Sequence, residues 1–431
     1  MKKRIALWFK NDLRLGDNAA LQQALQSGSE IIPVYCLDPA QFLPGKFGLR
    51  RTGAFRAAFL LESLKALEAD LRNLGSGLVL CLENAETALP KLVKEWNCSA
   101  IFTQEENGTE ERNQLERMKE KLAEQGCEIH TSPLEFLLPL DKLPWRINQI
   151  PDVFTAWRKV VEGIGLPEDF IPRPDSVPSP VLPETIFPNL SEFGLELPVV
   201  DQRTAFPFLA GEAAAMERIH YYGPESQLLS QYKETRNGLV GTDYSSKLSP
   251  WLANGNLSAR MVFCEVKRYE QEFGANQSTY WLIFELRWRD FFRLMMLKYG
   301  HLLFSFHGFR REFSPPAGRD ENAFKRWKEG KTGQPFVDAA MKELNATGFM
   351  GNRMRQVTAS WLVDHMNMDW RLGAAWFEEQ LIDYDVASNW GNWAYQAGVG
   401  NDPRGKRVFN AERQAEMYDP GKEYQRLWSK G

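Results

Sequence analysis

The residues best suited to chemistry lie late in the chain, in LIDYDVASNWGNWAYQAGVGNDPR, residues 381–404. On a helix starting at Asp385, the i, i+4, i+8 stripe is Asp385, Asn389 and Trp393, so a carboxylate, an amide and an indole fall in line. Core packing has no use for that order. A flat ligand does, because polar groups fix ring edges while aromatic side chains wall ring faces. Trp370, in MDWRLG, is another indole upstream, for which core packing is the ordinary explanation. GFMGNRMRQ, residues 348–356, contributes Asn352 and Arg355, and Arg355 is a candidate partner for either Asp383 or Asp385.

Two further stretches carry chemistry of their own. In FELRWRDFFR, residues 284–293, Glu285, Trp288, Arg289 and Phe292 follow i, i+3, i+4, i+7 spacing and share one helical face. A carboxylate and a cation beside two aromatics suit a ligand site, because unpaired charges are costly inside a protein. An ordinary Glu285–Arg289 helix pair is the alternative. In GTDYSSKLSPWLANGNLSAR, residues 241–260, the hydroxyls of Ser245, Ser246 and Ser249 surround Lys247 and Leu248. Hydroxyls and free backbone N–H groups before a helix make an anion site suited to a diphosphate, with simple serine capping as the alternative.

Composition closes off other chemistries. The five histidines form no pair at metal-ligand spacing, and no GxSxG or other nucleophile motif is present. The five cysteines lack CxxC spacing and are odd in number, which fits reduced thiols in a cytoplasm and argues against a disulfide framework or a zinc site. No apolar run approaches the roughly 20 residues of a membrane span, and the apolar part of MKKRIALWFKNDLR is too short for a signal peptide. A net charge of −4 leaves open a local basic face. The 14 tryptophans and 27 phenylalanines supply stacking surface beyond what a core requires. With no catalytic side-chain set in sight, a cofactor must carry the chemistry.

The elements that position these residues follow from periodicity. In the first 130 residues, the runs RIALWF, EIIPVYCLD, GLVLCLE, AIFTQEE and EIHTS alternate with helical segments. That alternation predicts a parallel sheet covered on both faces, a Rossmann-like α/β domain over residues 1–135. Its first strand is followed by KNDLRLGDN, with no GxGxxG loop. A connector is expected over 136–208, because eight prolines fall between 165 and 199. From 209 to 431 the strand signal disappears, and the pattern predicts an all-α domain of more than ten helices.

At this point the motifs, read together with WFKNDLRLGDN, YKETRNGLVGTDYSSKLSP and KTGQPFVDAAMKELNATGFMGNRMRQ, resemble the photolyase/cryptochrome family, and more narrowly its DASH branch. The resemblance is colinear over nearly the whole chain. It implies a U-shaped FAD in the helical domain, whose excited reduced flavin passes an electron to a cyclobutane pyrimidine dimer. By resemblance, Tyr232 and the segment Ser245, Ser246, Lys247, Leu248, Ser249 hold the FAD phosphates. Arg289, Phe292, Asn352, Arg355, Asp383 and Asp385 surround the flavin and ribityl chain, and Asn389 faces flavin N5. Trp393 and Trp370 relay electrons inward.

On the substrate side, the resemblance assigns Glu285 and Trp288 to a flipped pyrimidine pair, with Asn352 and Arg353 toward the DNA. Gln356 and Tyr395 stand where other photolyases place methionine and tryptophan, which implies a preference for single-stranded DNA. Gly351–Asn352 replaces the histidine pair of (6-4) photolyases. Asn389 stands where animal-type cryptochromes place cysteine and plant-type ones aspartate. The family's outer relay tryptophan falls near Ala317, where this chain has none. A methenyltetrahydrofolate antenna is implied in the cleft between domains, with Glu105 meeting the pterin; a solvated acidic loop is the bland alternative. The expectation is a monomeric, cytoplasmic, DNA-binding lyase with no membrane segment. The rival is a non-catalytic photoreceptor for nucleic acid or a protein partner, weakened by the absence of a signalling tail before Gly431.

Overall fold

The computed structural model describes residues 3–310, 312–405 and 408–429. Five strands form one sheet: β1 (Arg4–Phe9), β2 (Glu30–Cys36), β3 (Val79–Cys81), β4 (Cys98–Gln104) and β5 (Glu128–Ser132). The order is β3-β2-β1-β4-β5, and every pairing is parallel. The central strand RIALWF is buried on both faces, as an unbroken apolar run in a parallel sheet requires. Helices α1 (Ala19–Gln26), α2 (Ala54–Asn73), α3 (Ala85–Trp96) and α4 (Thr109–Ala123) make the crossovers. The sheet is doubly wound, as the alternation predicted. Its order reverses between β1 and β4, and a crevice opens outside the carboxyl ends of such strands.

Residues 165–205 contain no helix or strand beyond a short turn at Leu190–Phe193. They lie over the sheet domain, burying Val177, Leu182, Leu190 and Leu195, with the Val177 N–H donating to Leu74 O at 2.9 Å. One helix, α5 (Phe154–Val161), falls in the stretch read from sequence as connector. It buries Phe154, Trp157 and Val161, an i, i+3, i+7 face too short to stand out between flanking prolines.

The remainder is helical: α6 (Glu212–His220), α7 (Tyr232–Thr235), α8 (Ser249–Asn254), α9 (Ala259–Phe273), α10 (Gln277–Tyr299), α11 (Glu321–Lys328), α12 (Pro335–Thr347), α13 (Asn352–Ser360), α14 (Trp370–Gln380), α15 (Val386–Gln396), α16 (Ala411–Tyr418) and α17 (Glu423–Ser429). The long α10 starts with Asn276 capping the Ser278 and Thr279 N–H groups and ends at Gly300. It runs through the middle of the helical half and carries Glu285, Trp288, Arg289 and Phe292. Among the described residues no helix is long and apolar enough to cross a membrane.

KNDLRLGDN, the stretch without a phosphate loop, clamps the two halves together. Buried Arg14 donates to Gly255 O at 2.9 Å, and the Glu212 carboxylate accepts from the Leu15 and Gly16 N–H groups at 2.8 and 2.9 Å. Ser258, the N-cap of α9, donates to Asp17 at 2.6 Å. Gly255 takes φ 75°, and a Cβ there would strike the Asn11 carbonyl, so both its conformation and its closeness to the clamp require glycine.

Candidate cofactor and substrate site

A cavity of about 270 Å³ lies between α7, the 244–249 segment, α10, the start of α13 and the 383–388 turn. Tyr232, Ser245, Ser246, Lys247, Leu248 and Ser249 all line it. The serines are not helix caps: the cap position of α8 is Leu248, and no side chain caps that end. Lys247 instead takes a left-handed backbone, φ 63°, and turns a buried ammonium toward the Tyr244 ring, 2.8 Å from its centroid. Among the described residues neither Lys247 Nζ nor Tyr244 Oη has a hydrogen-bond partner. Burial holds the Lys247 amine well below its ordinary pKa. Orphaned buried donors beside serine hydroxyls are the groups that a diphosphate would satisfy.

The loop is held from behind by Arg218, which sequence reasoning missed. Its guanidinium is buried, and it donates to the carbonyls of Ser246 at 3.1 Å and Thr242 at 3.0 Å, and to Asp243 at 3.3 Å. Nothing in EAAAMERIH distinguishes this arginine from a solvated one, because its partners lie more than 20 residues away.

Carboxylates and guanidiniums around the cavity pair differently from the simplest sequence reading. Arg355 takes Asp383, at 2.8 and 3.0 Å. Asp385 takes Arg293 at 3.3 Å and caps α15 through the Ser388 N–H at 2.8 Å. Glu285 and Arg289 are not partners of each other: Glu285 pairs with Arg236, and Arg289 with Glu135 at 2.6 Å. Arg293 also reaches Glu135, at 3.3 Å. Burial alone would raise Glu135 and Asp385, but the facing arginines reverse the sign and hold both carboxyls below the usual range. Glu285 goes the other way, because burial raises it and Arg236 only partly opposes.

At the mouth, Glu285, Arg236 and exposed Asn352 line the same cavity as the serines. One turn along α10, Trp288 stacks on Phe154 of α5, with ring centroids 3.7 Å apart and planes at 13°. Tyr395 stands edge-on to Trp288 at 6.2 Å. Gln356 accepts from Arg353 at 2.8 Å, and Tyr395 accepts from Arg404 at 3.4 Å.

Several expected neighbours lie off the cavity wall, Trp288, Arg353, Gln356 and Tyr395 among them. Phe292 packs against α15 at Gly391, where its ring excludes any Cβ. Asn389 is buried and donates to Ala374 O at 3.0 Å. Trp393 lies against Gly373 of α14, with Phe377 at 5.1 Å and Trp327 at 6.2 Å. The ring nearest Trp370 is Trp390, edge-on at 5.8 Å, and the Trp370 indole donates to Phe306 O at 3.0 Å. Ala317 is exposed, next to the Gly318–Met368 bridge that precedes Trp370.

A second, larger cavity of about 690 Å³ occupies the cleft between sheet and helices, where Lys10–Asp12 leaves β1 and Glu105–Asn107 leaves β4. Glu105 is there, accepting from Thr131 at 3.0 Å, and so are Trp390 and Tyr384. Glu111, in the same wall, is pushed up to about 7 by burial and by Glu106 and Glu110.

The FAD binding domain of DNA photolyase matches residues 281–430, and the DNA photolyase domain matches residues 5–179. The chain belongs to the photolyase/cryptochrome family, and FAD is its cofactor. Within that family the resemblance runs to cryptochrome DASH. The Gloeobacter violaceus cryptochrome DASH is 44% identical over 99% of this chain and 85% of its own length, and that of Xenopus laevis is 45% identical over 97% and 81%. A Synechocystis sp. PCC6803 cryptochrome structure superposes with a TM-score of 0.95 at 43% identity, covering 99% of this chain and 89% of that one. A bacterial class III photolyase from Agrobacterium tumefaciens superposes at 0.85 with 29% identity, over 99% and 86%.

Proposed function

We propose that this protein is a light-driven, FAD-dependent lyase that reverses cyclobutane pyrimidine dimers, preferring single-stranded DNA. The observation that carries the proposal is one cavity lined both by the diphosphate-type donors Ser245–Ser249 and by Arg236, Glu285 and Asn352, with Trp288 one turn farther along α10. FAD held here would supply, when reduced and excited by light, the electron for opening the dimer. The chain's residues do the rest. Lys247, Ser245, Ser246 and Ser249 hold the phosphates; Arg355–Asp383 and Arg293–Asp385 give fixed, neutralised edges to the ribityl and ring region. Glu285, its carboxyl oriented by Arg236, offers a hydrogen-bonding group to the pyrimidine edge. Trp288, braced by Phe154, gives the flipped pair a face to stack on.

The single-strand preference follows from polar walls. Extracting a pair from duplex costs a few kcal/mol of unstacking, and Gln356 and Tyr395, both engaged by arginines, return less apolar contact than methionine and tryptophan would. Trp393 and Trp370 serve to recharge the flavin. The cleft bordered by Glu105 suits a folate antenna.

The test is illumination of the FAD-loaded, chemically reduced protein with dimer-containing oligonucleotides, single- and double-stranded. Repair of both, faster on single strands, is expected; repair of neither overturns the proposal and leaves a photoreceptor. Trp393→Phe should block photoreduction by an external thiol yet spare repair after chemical reduction, and wild-type photoreduction in that variant would remove Trp393 from the relay.

A further inference from the structure

Cys36 ends β2 and Cys81 ends β3, and the two are register partners across adjacent parallel strands. Neighbouring strands are separated by about 4.8 Å, inside the roughly 4.4–6.8 Å Cα range that disulfides span. Both side chains pack on the face covered by α3, among Ile32, Val34, Leu89 and Trp96, as register partners on the same face of the sheet. Neither is fully buried, and Cys36 lies in the wall of the interdomain cleft. The Leu37 N–H donates to Cys81 O at 2.8 Å, so the backbone locks the two strand ends together.

We propose that Cys36 and Cys81 form a reversible intramolecular disulfide, a thiol-modification site at the cleft rim whose oxidant is a small disulfide of the glutathione class. Cys81 is on β3, the edge strand of the sheet, and its thiol is shifted down while that of Cys36 is shifted up, so Cys81 is the attacking thiolate. Cys81 Sγ attacks oxidised glutathione, breaking its S–S bond, forming a mixed disulfide and releasing one glutathione thiol. Cys36 then attacks Cys81 Sγ and displaces the second glutathione, its own proton leaving with that thiol. Two protein thiols become one disulfide as one oxidised glutathione becomes two reduced ones.

The other three cysteines are placed to stay out of this exchange. Cys98, Cys127 and Cys264 are buried, and burial pushes their thiols up to about 12, 11 and 11. The bridge would pin the strand end from which Asp38 and Gln41 continue into the cleft wall.

The experiment incubates native, FAD-loaded protein in glutathione buffers from fully reducing to fully oxidising, then denatures it in an alkylating reagent and maps the peptides. One Cys36–Cys81 link is expected, two hydrogens lighter than the free pair, reversed by dithiothreitol, with Cys98, Cys127 and Cys264 alkylated throughout. Cys36→Ser should trap glutathione on Cys81, whereas Cys81→Ser should leave Cys36 as a free thiol. Absence of the link in every buffer overturns the proposal, as does a link that forms only after unfolding, with retained flavin absorbance reporting the folded state.

Discussion

Asp383 and Asp385 are two residues apart and take different cations, and that difference sets what each substitution does. Asp385 has two tasks, opposing Arg293 and capping α15. Asn caps about as well as Asp, whereas alanine forfeits about 1 kcal/mol or more at such a position. Asp385→Asn should therefore melt close to wild type but retain less FAD, while Asp385→Ala should lose both stability and flavin. Flavin-to-protein absorbance after gel filtration and thermal melting separate the two, and equal melting temperatures for the variants would remove the cap from the account. Because the folded-state pKa of Asp385 is depressed, its stabilisation is present above the unfolded value near 4 and fades as pH falls below it. The sequence showed which residue types would surround a ligand, but not who pairs with whom. Arg355–Asp383 was one of two open choices, and the Glu285–Arg289 pair suggested by i, i+4 spacing is replaced by partners 49 and 154 positions away. Such long-range partners leave no periodic trace. Asn389 and Phe292 also meet neighbouring helices, Asn389 Nδ2 through Ala374 O and Phe292 through Gly391, contacts that the helix face alone does not reveal.

At the level of elements, legibility tracks length and contrast. The strands of the parallel sheet and their crossover helices were evident because apolar runs and 3.6-residue periods alternate cleanly. α5 was hidden because eight residues between prolines give barely two turns of pattern. The last helix, α17, is tied down by chemistry that the sequence does not advertise: Tyr424 on α17 donates to Glu343 on α12 at 2.5 Å, and both are buried. Burial pushes Glu343 up to about 7, with Tyr424, Lys247 and Arg355 opposing. A carboxyl whose folded pKa is raised favours the folded state at low pH, and that advantage disappears as pH rises from the unfolded value, near 4.5, through about 7. Asp290, pushed up to about 6, adds to the same slope. Urea midpoints should thus fall between pH 5 and pH 8, and Glu343→Gln, which keeps an acceptor for Tyr424 without a charge, should flatten that fall. An unchanged slope in the variant would place the titration elsewhere.

For the whole molecule, the proposed function requires a chain with a net charge of −4 to bind a polyanion. Arg289, which the resemblance places beside the flavin, is locked to buried Glu135 and does not present a free cation. Arg404 is better placed: its side chain is 64% exposed, it pairs with Asp402 at 3.0 Å, and it reaches Tyr395, which stands edge-on to Trp288. Pairing with Asp402 offsets its charge in the free protein but fixes its position, so a strand entering the mouth meets an oriented guanidinium at no further ordering cost. Each phosphate neutralised by such a group releases counterion, so affinity for single-stranded DNA should fall linearly in log–log form as salt rises, by about 0.7 per contact. Arg404→Gln should weaken binding to damaged and undamaged strands alike and reduce the salt slope by about one contact's share. Fluorescence anisotropy with labelled oligonucleotides across a salt series measures both quantities. A variant that loses discrimination for the dimer while keeping the wild-type slope would show that Arg404 reads the lesion through Tyr395 and makes no phosphate contact.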